Sequence, residues 1–217
     1  AYGEDTGGAD AGATYLVLGS SLGSSSSFDL GNADYKFNGE SPGDKSGKAI
    51  AGAGDVDGDG YDDILIAAIE GDAGATDAGT TYLFLGSSLG STTAIDLGDA
   101  DYQFVGEDTD DQSGVFVAGG GDVDGDGYDD ILIGAKKESS GGEDAGATYV
   151  ILSGSLGSNQ VIGLGDADYK FIGEATGDDS SQSGTLAADI DGNGLSDILI
   201  GAKGEDTGAS SAGAAYL

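Results

Sequence analysis

Residues 55–68 read DVDGDGYDDILIAA, and the pattern returns as DVDGDGYDDILIGA at 122–135 and as DIDGNGLSDILIGA at 189–202. The leading residues, Asp55, Asp122 and Asp189, are evenly spaced at 67 residues with nothing inserted between copies. The same period relates Tyr35, Tyr102 and Tyr169, and also Tyr15, Tyr82, Tyr149 and Tyr216. Self-similarity at one fixed period makes the repeat the unit of the fold.

Within a period, four short runs of strand character are separated by Gly, Ser and Asp clusters: 49–53 (AIAGA), 64–68 (ILIAA), 81–85 (TYLFL) and 102–105 (YQFV). The second run is continuously apolar, as expected of an inner strand covered on both faces. The fourth alternates, as expected of an outer strand packed on one face. No helical periodicity competes. Four antiparallel strands per repeat, each repeat burying its faces on its neighbours, predict an all-β chain of β-propeller blades.

The chain holds about three blades' worth of strands. The expected segments are 1–46, the C-terminal half of a blade; 47–113 and 114–183, two blades; and 184–217, the N-terminal half of another. Closed propellers have roughly four to eight blades, so further blades are expected from a longer parent or from other copies. Residues 1–16 are equivalent to 202–217. Two copies completing each other's split blade would therefore carry this stretch twice, and a window cut from a longer array is the expectation. Residue 1 is Ala and no signal peptide precedes it, which fits a processed piece.

Composition narrows the function. Forty acidic residues against seven basic ones give a formal charge of −33, which repels nucleic acid phosphates and anionic lipid head groups. No stretch is long and apolar enough for direct membrane insertion. A charge this large opposes compaction unless cations sit among the carboxylates. With no His and no Cys, no nucleophile elbow, and acids that recur in every repeat, no catalytic constellation is expected and the chain is read as a non-enzyme. The absence of Cys removes disulfides as staples and says little about redox compartment.

The nine residues D-x-D-x-D-G-x-x-D have the donors for Ca2+, which takes six to eight oxygen ligands. The expected sets are Asp55, Asp57, Asp59 and Asp63 with the Tyr61 carbonyl; Asp122, Asp124, Asp126 and Asp130 with the Tyr128 carbonyl; and Asp189, Asp191, Asn193 and Asp197 with the Leu195 carbonyl. Three calcium sites are predicted. The third is the weakest, because Asn193 replaces a carboxylate. An EF-hand would need a bidentate Glu at position 12 and flanking helices, but Ile66, Ile133 and Ile200 stand there. Solvated acidic turns are the alternative, disfavoured because the acids would repel one another three times over without an ion. A structural role is expected over calcium sensing, since a β-hairpin lacks the movable helix pair that sensors open. Such loops fill where calcium is abundant, outside the cell.

The calcium loop, the DILIGA strand, AGATYL and a Phe-x-Gly-Glu together are similar to the FG-GAP repeat of integrin α-subunits and their bacterial relatives, and the likeness runs along essentially the whole chain. The resemblance implies a propeller, calcium in loops on one face, partner contacts mostly on the other, and a bacterial or archaeal surface protein. Where the family often has Phe-Gly before its first strand, this chain has Ser46-Gly47, Ser113-Gly114 and Ser183-Gly184, with its Phe earlier, at 37, 104 and 171. Three functions stay open: an extracellular or cell-surface adhesion or structural module presenting loops to a protein or glycan ligand; an accessory substrate-binding propeller of a secreted enzyme; and a self-assembling subunit of a filament. The acidic loops 40–44, 107–111 and 174–179 are read as solvated surface, and Tyr35, Tyr102 and Tyr169 as packing between blades rather than a sugar-stacking ladder.

Overall fold

The computed structural model describes residues 1–217 apart from Tyr2, Ser25 and 206–211. Parts of the equivalent terminal stretches, 1–16 and 202–217, therefore lie outside the described residues. The fold is all-β. The strands are β1 (Ala13–Leu16), β2 (Tyr35–Asn38), β3 (Ser46–Gly54), β4 (Asp63–Ala68), β5 (Thr80–Phe84), β6 (Ala94–Asp96), β7 (Tyr102–Val105), β8 (Ser113–Gly121), β9 (Asp130–Ala135), β10 (Ala147–Ile151), β11 (Val161–Gly163), β12 (Tyr169–Ile172), β13 (Ser180–Ala187), β14 (Asp197–Ala202) and β15 (Ala214–Tyr216). They form four sheets, one per blade: β1-β2-β6, β3-β4-β5-β7-β11, β8-β9-β10-β12 and β13-β14-β15.

The four runs expected in each repeat become the four antiparallel strands of a blade. The apolar second run explains its place in the middle: Leu65, Ile66, Ala67 and Ala68 of β4 are all fully buried, as are Ile131, Leu132 and Ile133 of β9. Register repeats with the sequence, Ile66 opposite Tyr82, Ile133 opposite Tyr149 and Ile200 opposite Tyr216. Apolar side chains from adjacent sheets meet between the blades. Phe37 of β2 packs with Ile66, Phe84 and Leu97 of the next repeat, its ring 4.8 Å from that of Phe84 and tilted. One junction on, Leu65 and Phe104 meet Ile131, Ile133, Tyr149 and Leu164.

A fifth strand, not visible as a run of strand character, stitches the blades together. β6 lies between the third and fourth strands of its own repeat, yet pairs in parallel with β2 of the preceding one, and β11 pairs in parallel with β7 in the same way. The 3-10 turns that follow, Leu97–Asp99 and Leu164–Asp166, insert their buried leucines into the junction. The tyrosines close it: the Tyr35 hydroxyl donates to the Gly90 carbonyl at 3.1 Å and that of Tyr102 to the Gly157 carbonyl at 3.2 Å. These two tyrosines pack between blades.

Two expectations need correcting. The boundaries drawn after 46, 113 and 183 each fall inside a first strand, leaving one residue of β3 and of β8 and four of β13 on the wrong side, since these strands begin at Ser46, Ser113 and Ser180. Ser46, Ser113 and Ser180 each donate their backbone N–H to an alanine carbonyl of the preceding blade, Ala11, Ala78 and Ala145, so Ser180 rather than Ser183 is the structural equivalent. The acidic loops are also not solvated throughout. Their aspartates Asp44, Asp111 and Asp178 are buried, each accepting a backbone N–H from three residues earlier. Burial pushes Asp44 and Asp111 up to about 6.

Candidate metal centres

Each acidic loop joins the first and second strands of a blade, β3 to β4, β8 to β9 and β13 to β14. The chain folds on its own carboxylates there. In the first loop Asp55 accepts the N–H of Asp59 at 3.0 Å and of Gly60 at 2.9 Å, and Asp57 accepts that of Asp59 at 3.1 Å. The second and third loops repeat the scheme, with Asp122 accepting from Gly125 and Gly127 and Asp189 from Gly192, Asn193 and Gly194. Gly58 and Gly60 take φ of 74° and 90°, conformations that cost other residues about 1–2 kcal/mol. Short polar side chains that bond to nearby backbone favour this turn over any regular element.

The result is convergence. Carboxylate oxygens of Asp55, Asp57 and Asp63 lie within 4.8 Å of one another, and so do those of Asp122, Asp124 and Asp130 and of Asp189, Asp191 and Asp197. Calcium–oxygen distances of about 2.3–2.6 Å place opposed ligands roughly 4.8 Å apart, so one ion fits each trio. Asp59 and Asp126, at the fifth loop position, stand outside the trios. The carboxylates of Asp59 and Asp126 and the amide oxygen of Asn193 instead accept the N–H two residues on, from Tyr61, Tyr128 and Leu195.

The ninth position anchors the trio to the sheet. Asp63 is buried and uses both oxygens, accepting from Val56 N–H and Gly86 N–H, each at 2.8 Å. Asp130 does the same with Val123 at 2.8 Å and Ser153 at 2.9 Å. Desolvation raises the pKa of both, against the hydrogen bonds that favour the charged form. At Asp189 the backbone hydrogen bond from Gly194 leads the causes that lower its pKa.

Three matches to a known repeat coincide with this geometry. Residues 47–84, 113–151 and 182–217, together more than half of the chain, match the FG-GAP repeat, and each match contains one acidic loop with the strands on either side. The chain belongs to the FG-GAP repeat family. It is also 30% identical over 194 residues to integrin alpha-5 of Xenopus laevis, an alignment covering 80% of this chain and 16% of the integrin. The FG-GAP chain thus spans about a sixth of the length of that relative.

The FG-GAP loops are laced to one another as well as to their own sheets, through a residue the motif reading passed over. Position eight is Asp62, Asp129 or Ser196. Asp129 accepts the N–H of Asp55 at 2.9 Å and donates its own N–H to the Asp55 carbonyl at 3.2 Å; Ser196 N–H donates to the Asp122 carbonyl at 2.7 Å. The Tyr128 ring sits against Gly58, where a Cβ would come within 2.2 Å of it, and Leu195 sits against Gly125. The signal was present as a second acid in the DD pair of the first two copies, but adjacency in sequence gave it no separate role.

Proposed function

We propose that this chain is a calcium-stabilised, extracellular adhesion-type scaffold that presents loops to a protein or glycan ligand. The observation that carries the reading is the trio of carboxylates repeated three times at one end of the sheets, each tying a hairpin and touching the next. Asp55, Asp57 and Asp63, with their counterparts Asp122, Asp124 and Asp130 and Asp189, Asp191 and Asp197, would hold the ion. Asp59, Asp126 and Asn193 and the carbonyls of Tyr61, Tyr128 and Leu195 are the further ligands proposed. Calcium there would supply the positive charge that a chain of −33 lacks, and an ion bound only by the folded loop stabilises the fold.

The chain's own contribution is preorganisation, since backbone N–H groups already point the aspartates of each loop inward. Integrin likeness and an ion abundant outside the cell both favour a surface or extracellular location, and neither suggests chemistry on a substrate. Among the described residues no helix is long and apolar enough to cross a membrane. The connections from second to third strand and from fourth to first strand lie at the opposite end of the sheets, leaving them available to a partner.

Calorimetric titration with calcium, paired with thermal melts in calcium and in chelator, tests the reading. About three ions per chain and a large loss of thermal stability in chelator are expected. A melt indifferent to chelator would reduce the loops to acidic turns.

A further inference from the structure

The first two acidic loops are joined through one residue that belongs to the second. Asp129, at position eight of its loop, holds the backbone of Asp55 from both sides. Its carboxylate accepts the Asp55 N–H at 2.9 Å, and its own N–H donates to the Asp55 carbonyl at 3.2 Å. Asp55 is the first member of one trio, and Asp129 stands next to Asp130, the buried anchor of the other. Asp129 itself is not one of the converging carboxylates. Room for it is kept by Gly54, where a Cβ would come within 2.0 Å of the Asp129 carboxylate. The Asp129 carbonyl accepts in turn from the Ser153 hydroxyl, and the Ser153 N–H donates to Asp130.

We propose, resting on the calcium reading above, that Asp129 is a positioning residue for the first metal centre and that through it the first and second centres take up calcium as a coupled pair. An empty second loop gathers Asp122, Asp124, Asp126 and Asp130 in like charge, which favours opening. Opening moves Asp129 and takes two hydrogen bonds from Asp55, so the first trio loses the backbone frame that aims its leading carboxylate. An ion in the second loop draws the same acids together, fixes Asp129 and leaves the first trio already shaped. Two sites that each favour the closed form of one shared element bind cooperatively, and by linkage the help is equal in both directions. The Tyr128 ring, one residue earlier and packed on Gly58 inside the first loop, ties the same two loops at a second point.

The second and third loops are joined by less. The Ser196 N–H keeps the bond to the Asp122 carbonyl, at 2.7 Å. Its side chain takes the equivalent place over Gly121, where a Cβ would come within 2.8 Å of the hydroxyl oxygen. A serine there carries no carboxylate to extend to the Asp122 N–H, and Leu195 stands where the first junction has the Tyr128 ring. Coupling is therefore strong between the first and second centres and weaker between the second and third.

Calorimetric calcium titration of the full chain carrying Asp191→Ala, which disables the third centre and leaves the other two, tests the proposal. The two remaining ions should bind in one steep transition. Adding Asp124→Ala, which removes an exposed ligand of the second centre, should weaken the first centre about fivefold or more. Asp129→Ala should weaken the first centre with the second loop intact, and should shrink the further effect of Asp124→Ala. Asp129→Asn, whose amide oxygen can still accept the Asp55 N–H, should restore the steep transition. A purely structural role for Asp129 would lower stability without touching the dependence of one centre on the other. In the chain with all other positions unaltered, Ser196→Asp should make calcium binding at the second centre more sensitive to Asp191→Ala. If the first centre binds equally well with and without a working second loop, or if Asp129→Ala leaves the steepness unchanged, the coupling is wrong while the calcium reading stands. No calcium uptake by the unaltered chain overturns both.

Discussion

The second and third acidic loops differ at four of nine positions, yet the fold holds them differently. Asp130 is buried, with both oxygens occupied, because the connection after β10 folds back and places Ser153 N–H beside it. Asp197 is only half-buried, and its hydrogen bond is to Ile190 N–H at 2.6 Å. The second loop is also stacked on both sides, by Tyr128 against Gly58 and by Leu195 against Gly125, whereas the third touches a neighbour on one side among the described residues. A metal-loop motif therefore specifies convergence of its acids, while in the first two loops the connection after the third strand supplies the second backbone donor that fills the anchor.

That contrast is most directly broken by removing the anchor. Asp130→Ala strands two buried N–H groups and a ligand and should cost about 3 kcal/mol or more, against about 1 kcal/mol for Asp197→Ala. Denaturant melts in calcium measure both, and equal losses would show that the two anchors are equivalent. Next in size is the stacking. Gly58→Ala adds a Cβ 2.2 Å from the Tyr128 ring at φ 74°, whereas Gly192→Ala at φ 80° meets nothing within 4 Å. The first should cost about 2 kcal/mol or more and the second about 1 kcal/mol, and Tyr128→Ala should bring Gly58→Ala down toward the second value.

Charge count gives a finer test. Asn193→Asp should tighten calcium binding at the third loop on the order of tenfold, since affinity follows the number of charged ligands, and calorimetry of the variant should bring the three sites closer together. The smallest expected effect is a pH dependence at the far end of the blades, where Asp44 and Asp111 are pushed up to about 6. Unfolded carboxylates titrate near 4. The folded chain therefore binds protons that the unfolded chain does not, and the stability these two groups withhold at neutral pH returns as pH falls from about 6 to about 4. In chelator the melting temperature should rise through that window, and the double variant Asp44→Asn, Asp111→Asn should flatten the rise.

Much of this was legible in the chain. The 67-residue period and the four runs follow from apolar runs punctuated by Gly and Asp, and those runs are the strands. The converging aspartates at positions one, three and nine were readable because side chains bonding to their own backbone make a local turn. What escaped was everything set by the next repeat. β6 and β11 are three residues long, too short for alternation to register, and become strands only because β2 and β7 offer an edge. The burial of Asp44 and Asp111 likewise comes from packing between blades, which no local pattern of acids encodes. The start of β13 was misplaced because Ser183-Gly184 copies the dipeptides at 46 and 113, while the backbone bond to Ala145 selects Ser180.

The parallel stitch sets the order in which a new chain matures. Tyr102–Val105 finds its last partner only when Val161–Gly163 has been made, and at roughly 5–20 residues per second that interval lasts several seconds. Throughout it, one strand edge with unpaired backbone groups faces solvent, the kind of edge that recruits other chains. Each finished repeat closes the one before it and hands the exposed edge forward, so the hazard of aggregation during synthesis travels with the newest blade.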